Sequence, residues 1–187
     1  MLIDAPRSVF LLIDPQVRLV NALPAATAEA LRPRWSLLLR AAARLEIPVV
    51  VSRQYPQGLG PLLPELASLL PAGVEPHDKM SFSCCADGRL AEVLSGDRDQ
   101  IVIAGLETHI CVLQTAFDLA GNGRAPVVVT DACAARRTAD HVQACTRLAA
   151  TVGLAVTESV VFEWLRGAAH PRFREIARWV RDLPGEA

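Results

Sequence analysis

No apolar run in the 187-residue chain reaches the roughly 18 to 20 residues that span a bilayer. Nor is there an excess of one charge, since 19 Lys and Arg face 20 Asp and Glu for a formal net charge of −1. So even a balance offers no broad field to nucleic acid or to an anionic membrane surface. The N-terminus reaches Asp4 and Arg7 before any apolar stretch, unlike a cleavable secretory leader. A soluble, cytoplasmic protein with neither nucleic acid nor membrane as partner is expected. Cysteine is sparse and odd in number, at five, with no Cys-x-x-Cys spacing. That fits no complete disulfide framework, and a cytosolic setting keeps thiols reduced. Cys84, Cys85, Cys133 and Cys145 therefore read as small buried side chains. Internal repeats are absent, as is any linker long enough to divide the chain, so residues 1–187 read as one domain.

What is present suits a single packed core: 51% of residues are apolar and 21% charged. Continuous apolar runs at 8–13, 47–51, 101–104 and 127–130, with a weaker one at 154–157, fit strands buried on both faces. Helical patterns lie between and after them at about 33–45, 86–94, 110–120, 138–150, 158–165 and 171–180, the first opening on Pro33 as a first-turn residue. Alternating strands and helices predict an α/β fold, a mostly parallel central sheet with helices on both faces. The least regular stretch, 54–83, carries Pro56, Pro61, Pro64, Pro71 and Pro76. In a compact domain such a segment is usually functional or packed over a site.

Open α/β sheets bind ligands beyond the carboxyl ends of their strands. Asp14, Ser52 and Arg53, the Gly105-Leu106-Glu107 turn, and Asp131 all occupy such ends. Cys111 falls in the first turn of a helix after that glycine turn. Unsatisfied N–H groups there favour a thiolate over a thiol and can hold a developing oxyanion. A small core cysteine is the alternative. Asp14, at the end of a hydrophobic strand, suits proton transfer, or else caps a turn before Pro15. Lys79 taken alone reads as a solvated lysine.

Taken together, three motifs resemble the isochorismatase-like cysteine hydrolases. They are Leu12-Ile13-Asp14-Pro15-Gln16, Lys79 with Phe82-Ser83, and Gly105-Leu106-Glu107-Thr108-His109-Ile110-Cys111-Val112. The likeness covers nearly the whole chain. Gln54-Tyr55-Pro56-Gln57-Gly58-Leu59-Gly60-Pro61 and His170-Pro171-Arg172-Phe173 are similar to segments of the isochorismatase-domain-containing subgroup. The resemblance implies a Rossmann-like three-layer α/β/α sandwich and a Cys-Asp-Lys triad without a cofactor. Cys111 would be the nucleophile, Asp14 the proton carrier and Lys79 the supporting charge. It also implies a cis peptide at Leu106–Glu107, with the backbone N–H groups of Glu107 and Cys111 forming the oxyanion hole. A small amide or related C–N substrate would pass through a thioester-type intermediate. Gln16, Leu19, Tyr55 and Phe82, adjoining the motifs, are expected to line the pocket.

Metal-binding nicotinamidases of this superfamily carry an aspartate and histidines after the second strand. This chain has Ser52-Arg53-Gln54-Tyr55-Pro56 there, so no metal is expected. His109 is assigned a packing role behind the nucleophile, and His141 and His170 solvated or capping roles. Family members assemble as dimers or larger homo-oligomers, which is the expectation here. Two other classes compete: a thiol-based redox protein, raised by Cys84-Cys85, and a catalytically idle interaction module.

Overall fold

The structure, a computed structural model, describes residues 2–94 and 96–183. Six strands form its sheet: β1 (Ser8–Ile13), β2 (Val49–Gln54), β3 (His77–Lys79), β4 (Gln100–Leu106), β5 (Ala125–Ala134) and β6 (Gly153–Ala155). They lie in the order β3-β2-β1-β4-β5-β6, and every pairing is parallel. The helices are α1 (Val17–Asn21), α2 (Ala25–Arg44), α3 (Pro56–Leu59), α4 (Pro64–Ala67), α5 (Gly88–Leu94), α6 (Leu113–Gly121), α7 (Thr138–Ala149), α8 (Thr157–Leu165) and α9 (Phe173–Arg181).

Side chains alternate between the two faces of a strand, and that alternation sorts this core into two halves. Phe10 and Leu12 of β1, Val49 and Val51 of β2, and Val102 of β4 face one way, against Trp35 and Leu38 of α2 and Val160 and Trp164 of α8. Val9, Leu11 and Ile13, with Ile101 and Ile103, face the other way, against Leu90 of α5, Ala116 of α6 and Leu148 of α7. Each fully buried aliphatic or aromatic side chain contributes about 1.5–3 kcal/mol. The three-layer α/β/α sandwich follows directly: a continuous apolar run is stable only when both of its faces are covered.

The chain winds outward in both directions from the seam between β1 and β4. Gly105 makes that seam possible. Its φ is 125°, and a Cβ there would lie 2.0 Å from the carbonyl oxygen of Ile13. Only glycine allows β4 to close against β1 at this point. A register shift between Ile103 and Gly105 on the β5 side marks the same irregularity.

Several boundaries differ from the sequence-based expectation. Among the described residues there are six strands rather than five, because β3 is a short, polar edge strand with no apolar run to announce it. β5 continues to Ala134, so Asp131 lies inside a strand and not at its end. The last strand stops at Ala155, and Thr157 opens α8. α2 starts at Ala25, eight residues before Pro33, which sits inside the helix. Proline removes one helical hydrogen bond, but Leu31, Trp35, Leu37, Leu38 and Leu39 bury an apolar stripe that holds the helix together across it.

Candidate active site

The β1–β4 seam is the point where the strand order reverses, the position at which doubly wound sheets open a binding crevice. Asp14 leaves β1 there with φ 52°, a left-handed conformation that Asp tolerates better than most residues. Its backbone N–H donates to the Ser52 carbonyl at 3.2 Å. The conformation turns its carboxylate beneath the ends of β2 and β3. Ser52 Oγ donates to Asp14 Oδ1 at 2.6 Å, and Lys79 Nζ donates to Asp14 Oδ2 at 2.8 Å. Both charged side chains of this ion pair are 0% exposed.

The parallel register that sets Gln54 beside Lys79 completes the network. Lys79 Nζ donates to Gln54 Oε1 at 2.7 Å, and also lies 3.1 Å from the Phe82 carbonyl and 3.3 Å from that of Ser81. The Gln54 amide is oriented from its other end, where Nε2 donates to the Met80 carbonyl at 2.9 Å. An ammonium has three donors, and four acceptors surround this one. Lys79 therefore has none left for a substrate; what it supplies is a fixed positive charge.

Cys111 arrives from the opposite side of the seam. Residues Thr108–Val112 form a π-helical turn ahead of α6, with the Val112 N–H bonded to the Glu107 carbonyl at 3.3 Å. Such turns recur at functional sites because the widened coil redirects a side chain. The Cys111 thiol donates to Gln54 Oε1 at 4.0 Å, feels the charges of both Asp14 and Lys79, and is 6% exposed. The structure thus brings Asp14, Lys79 and Cys111 together from three strand ends.

Electrostatics overturn one expectation. The thiolate was expected to be favoured by the helix start; instead burial pushes the Cys111 thiol up to about 12, the Asp14 carboxylate adding to the rise and Lys79 opposing it. Desolvation and a like charge outweigh the dipole of one turn. Burial also works against the Lys79 charge, but Asp14 more than offsets it and the ammonium is raised above its ordinary value. The resting site holds the Lys79–Asp14 ion pair and, at neutral pH, a neutral thiol.

Glu107 precedes the turn, and the Leu106–Glu107 peptide bond is cis. Its carboxylate is buried and held by Arg136, through the backbone N–H at 2.9 Å and through Nε at 3.1 Å. A second tie links Thr108 Oγ1 to His141 Nδ1 at 2.9 Å. His141 is therefore a half-buried partner of the turn that bears Cys111, not the solvated or capping residue expected. His109 Nε2 lies 3.9 Å from Asp140 Oδ2, while its Nδ1 is buried without a partner. His170 Nδ1 accepts from the Arg172 N–H at 3.1 Å, a local capping bond.

The expected pocket walls fare unevenly. Gln16 is fully buried and both ends of its amide are engaged, with Gln54 and the Gly60 carbonyl, so it ties loops together and does not face a ligand. Leu19 is half-buried against the core on the α2 side. Tyr55 and Phe82 are exposed, at 47% and 52%, on the loops that follow β2 and β3. Asp131 pairs with Arg34 at 3.1 Å and accepts from the backbone N–H and the hydroxyl of Thr157, which caps α8. It takes no part in the cluster.

Three participants were not assigned to the cluster from the sequence, although Ser52 was placed at a strand end. Ser52 and Gln54 share one face of β2 by their spacing of two, but polar residues past an apolar run look like loop. Cys84 is the third, buried behind the site with its N–H on Thr115 Oγ1 at 3.0 Å. Burial pushes its thiol to about 12, and that of Cys85 to about 11. Among the described residues no group of three or more His, Cys, Asp or Glu side chains is placed to hold a metal ion.

Known proteins place this arrangement. The isochorismatase domain model matches residues 8–159. Isochorismatase domain-containing protein 2 of Danio rerio is 38% identical over 143 residues, covering 75% of this chain and 71% of that protein. A solved structure described as MAR1 ribonuclease from Caenorhabditis elegans superposes with a TM-score of 0.92 at 28% identity, over 99% of this chain and 95% of that one. YcaC of Pseudomonas aeruginosa, solved with hexane-2,5-diol and covalent acrylamide, superposes with a TM-score of 0.84 at 20% identity, each chain covered to 96%. With a family model over most of its length and a relative this similar, the chain belongs to the isochorismatase family.

Proposed function

We propose that this chain is a hydrolase of small amides or related C–N substrates, with Cys111 as nucleophile, Asp14 as proton carrier and Lys79 as fixed counter-charge. The observation that carries the reading is the buried Lys79–Asp14 pair with the Cys111 thiol beside it, Lys79 and Cys111 both meeting Gln54 Oε1. With the thiol pushed up to about 12, little thiolate exists beforehand, so the proton must leave as sulfur attacks.

The Asp14 carboxylate takes the Cys111 proton while sulfur bonds to the carbonyl carbon. The carbonyl's electron pair moves to oxygen, where the backbone N–H groups of Glu107 and Cys111 receive it. Collapse of that adduct breaks the C–N bond, and protonated Asp14 gives its proton to the departing amine. A thioester and free ammonia or amine remain. Water then attacks the thioester, Asp14 again taking a proton and returning it to sulfur, and the acid is released. Net charge within the cluster is zero before and after the first proton transfer, since carboxylate plus thiol becomes carboxylic acid plus thiolate, both beside Lys79. A buried site tolerates such a shift far better than the appearance of an unpaired charge.

The covalent acrylamide on the Pseudomonas relative, which shares this fold, suggests a probe for a reactive thiol here. The description of the Caenorhabditis relative raises RNA as an alternative substrate. A net charge of −1 supplies no general attraction for a polyanion, and a thiol buried beside a carboxylate suits a neutral carbonyl carbon better. The test is a panel of small amides and ureides assayed for ammonia, with an RNA substrate in parallel. Ammonia release that vanishes in Cys111→Ala supports the proposal. RNA cleavage that survives Cys111→Ala, with no amide turned over, overturns it.

A further inference from the structure

A cavity of about 630 Å³ lies at the carboxyl end of β5, apart from the cluster of Asp14, Lys79 and Cys111. One wall is the first turns of α2, including Thr27, Ala30 and Leu31; the other is the segment from the end of β5 into α7, including Ala134, Ala135 and His141. Volume in this range is typical of small-molecule sites.

That second wall is the segment that ties down the nucleophile's turn. His141 lines the cavity and bonds Thr108, the first residue of the π-helical turn. Arg136, directly after the lining residue Ala135, holds the Glu107 carboxylate through its backbone N–H and its guanidinium. A molecule in the cavity would touch α2 on one side and the segment bearing both ties on the other. Sites couple when an occupant has different contacts in the two arrangements of an intervening element, and this segment lies between the cavity and the turn.

We infer that this cavity is a second ligand site, taking a neutral and largely apolar small molecule, whose occupancy clamps the turn that carries Cys111. The ligand class follows from the lining. Arg34 and Asp131, the charged groups deepest in it, are paired with each other at 3.1 Å, and the exposed Glu29 at the rim disfavours an anion. Burial lowers the His141 pKa, so its ring is neutral near pH 7. Apolar walls with the hydroxyls of Thr27 and Thr138 suit a ring with one or two hydrogen-bonding groups. The inference rests on the proposed function only in taking Cys111 as the reactive thiol whose access is read.

Indole, a neutral bicycle with one donor, is the probe. Ligand-observed NMR on the intact protein measures its binding, and mass spectrometry follows the rate of acrylamide addition to Cys111. Saturable binding is expected, with labelling slowed about fivefold, the lower end of ordinary coupling. Ala30→Trp places the same ring in the cavity covalently, so it is expected to bind no indole and to label slowly without it. Thr27→Trp, from the preceding turn, does the same should Ala30→Trp fail to fold. Indole that does not bind, or that binds both tryptophan variants as well as the parent, overturns the site. Binding that leaves Cys111 labelling unchanged overturns the coupling. Since binding is read without turnover, failure of the hydrolase assignment leaves the first arm intact.

Discussion

Lys79–Asp14 and Arg34–Asp131 are both cation–carboxylate pairs beneath the carboxyl side of one parallel sheet, at 2.8 Å and 3.1 Å. Their surroundings separate them. Asp131 turns its second oxygen to the start of α8 and Arg34 donates to the Ala30 carbonyl, so that pair joins α2, β5 and α8 and is 10% and 20% exposed at its side chains. Asp14 has a thiol beside it instead, and no part of its ion pair reaches solvent. On the proposed function the pair alone does not make a reactive site; the neighbouring thiol and the exclusion of water make the difference.

The strongest way to break the contrast is to remove the proposed nucleophile. Cys111→Ala is expected to lower amide hydrolysis by on the order of 10^4-fold or more while leaving the ion pair in place. An ammonia assay checks activity and a urea melt checks folding. Asp14→Asn sharpens it, because its two effects point in opposite directions. Hydrolysis is expected to fall about 10^2- to 10^4-fold through loss of the proton carrier. Removing the negative charge that raises the Cys111 thiol makes thiolate more abundant, so acrylamide labelling at pH 8 is expected to rise about tenfold. In the parent protein labelling should climb with pH without a plateau until near 12; in Asp14→Asn the plateau comes earlier. A mutant that loses both labelling and turnover would mean that Asp14 only holds the fold.

Stability offers the next comparison. Lys79→Met strands a carboxylate with no exposure and is expected to cost about 3–5 kcal/mol in urea unfolding. Arg34→Met leaves Asp131 partly solvated and still bonded to Thr157, and is expected to cost about 1–2 kcal/mol. Equal losses would erase the distinction drawn between the two pairs. The smallest effect is expected from Ser52→Ala, which removes the 2.6 Å bond to Asp14 Oδ1 and should cost about 1 kcal/mol.

Much of the architecture is legible without coordinates, for a physical reason. A strand buried on both faces must be apolar along its length, so β1, β4 and the first half of β5 declare themselves and their ends locate Asp14 and the turn before Cys111. β3 does not, because an edge strand of His77, Asp78 and Lys79 has no apolar face to reveal it. The consequence is direct: Lys79 reads as a solvated lysine on its own, and only the motif resemblance assigned it a role. Gln16, two residues after Asp14, looked like a pocket wall and is a buried tie between loops.

The order of amino acids by itself determined the alternation of strands and helices, the turn at Gly105 and the family motifs, all of which depend on neighbours along the chain. Tertiary structure alone decided that Lys79 crosses beneath β2 to reach Asp14, that Ser52 and Gln54 complete the network, and that Cys111 rests as a thiol. Ionisation responds to every charge and every missing water nearby in space. Those neighbours come from residues dozens of positions apart, and no local pattern contains their sum.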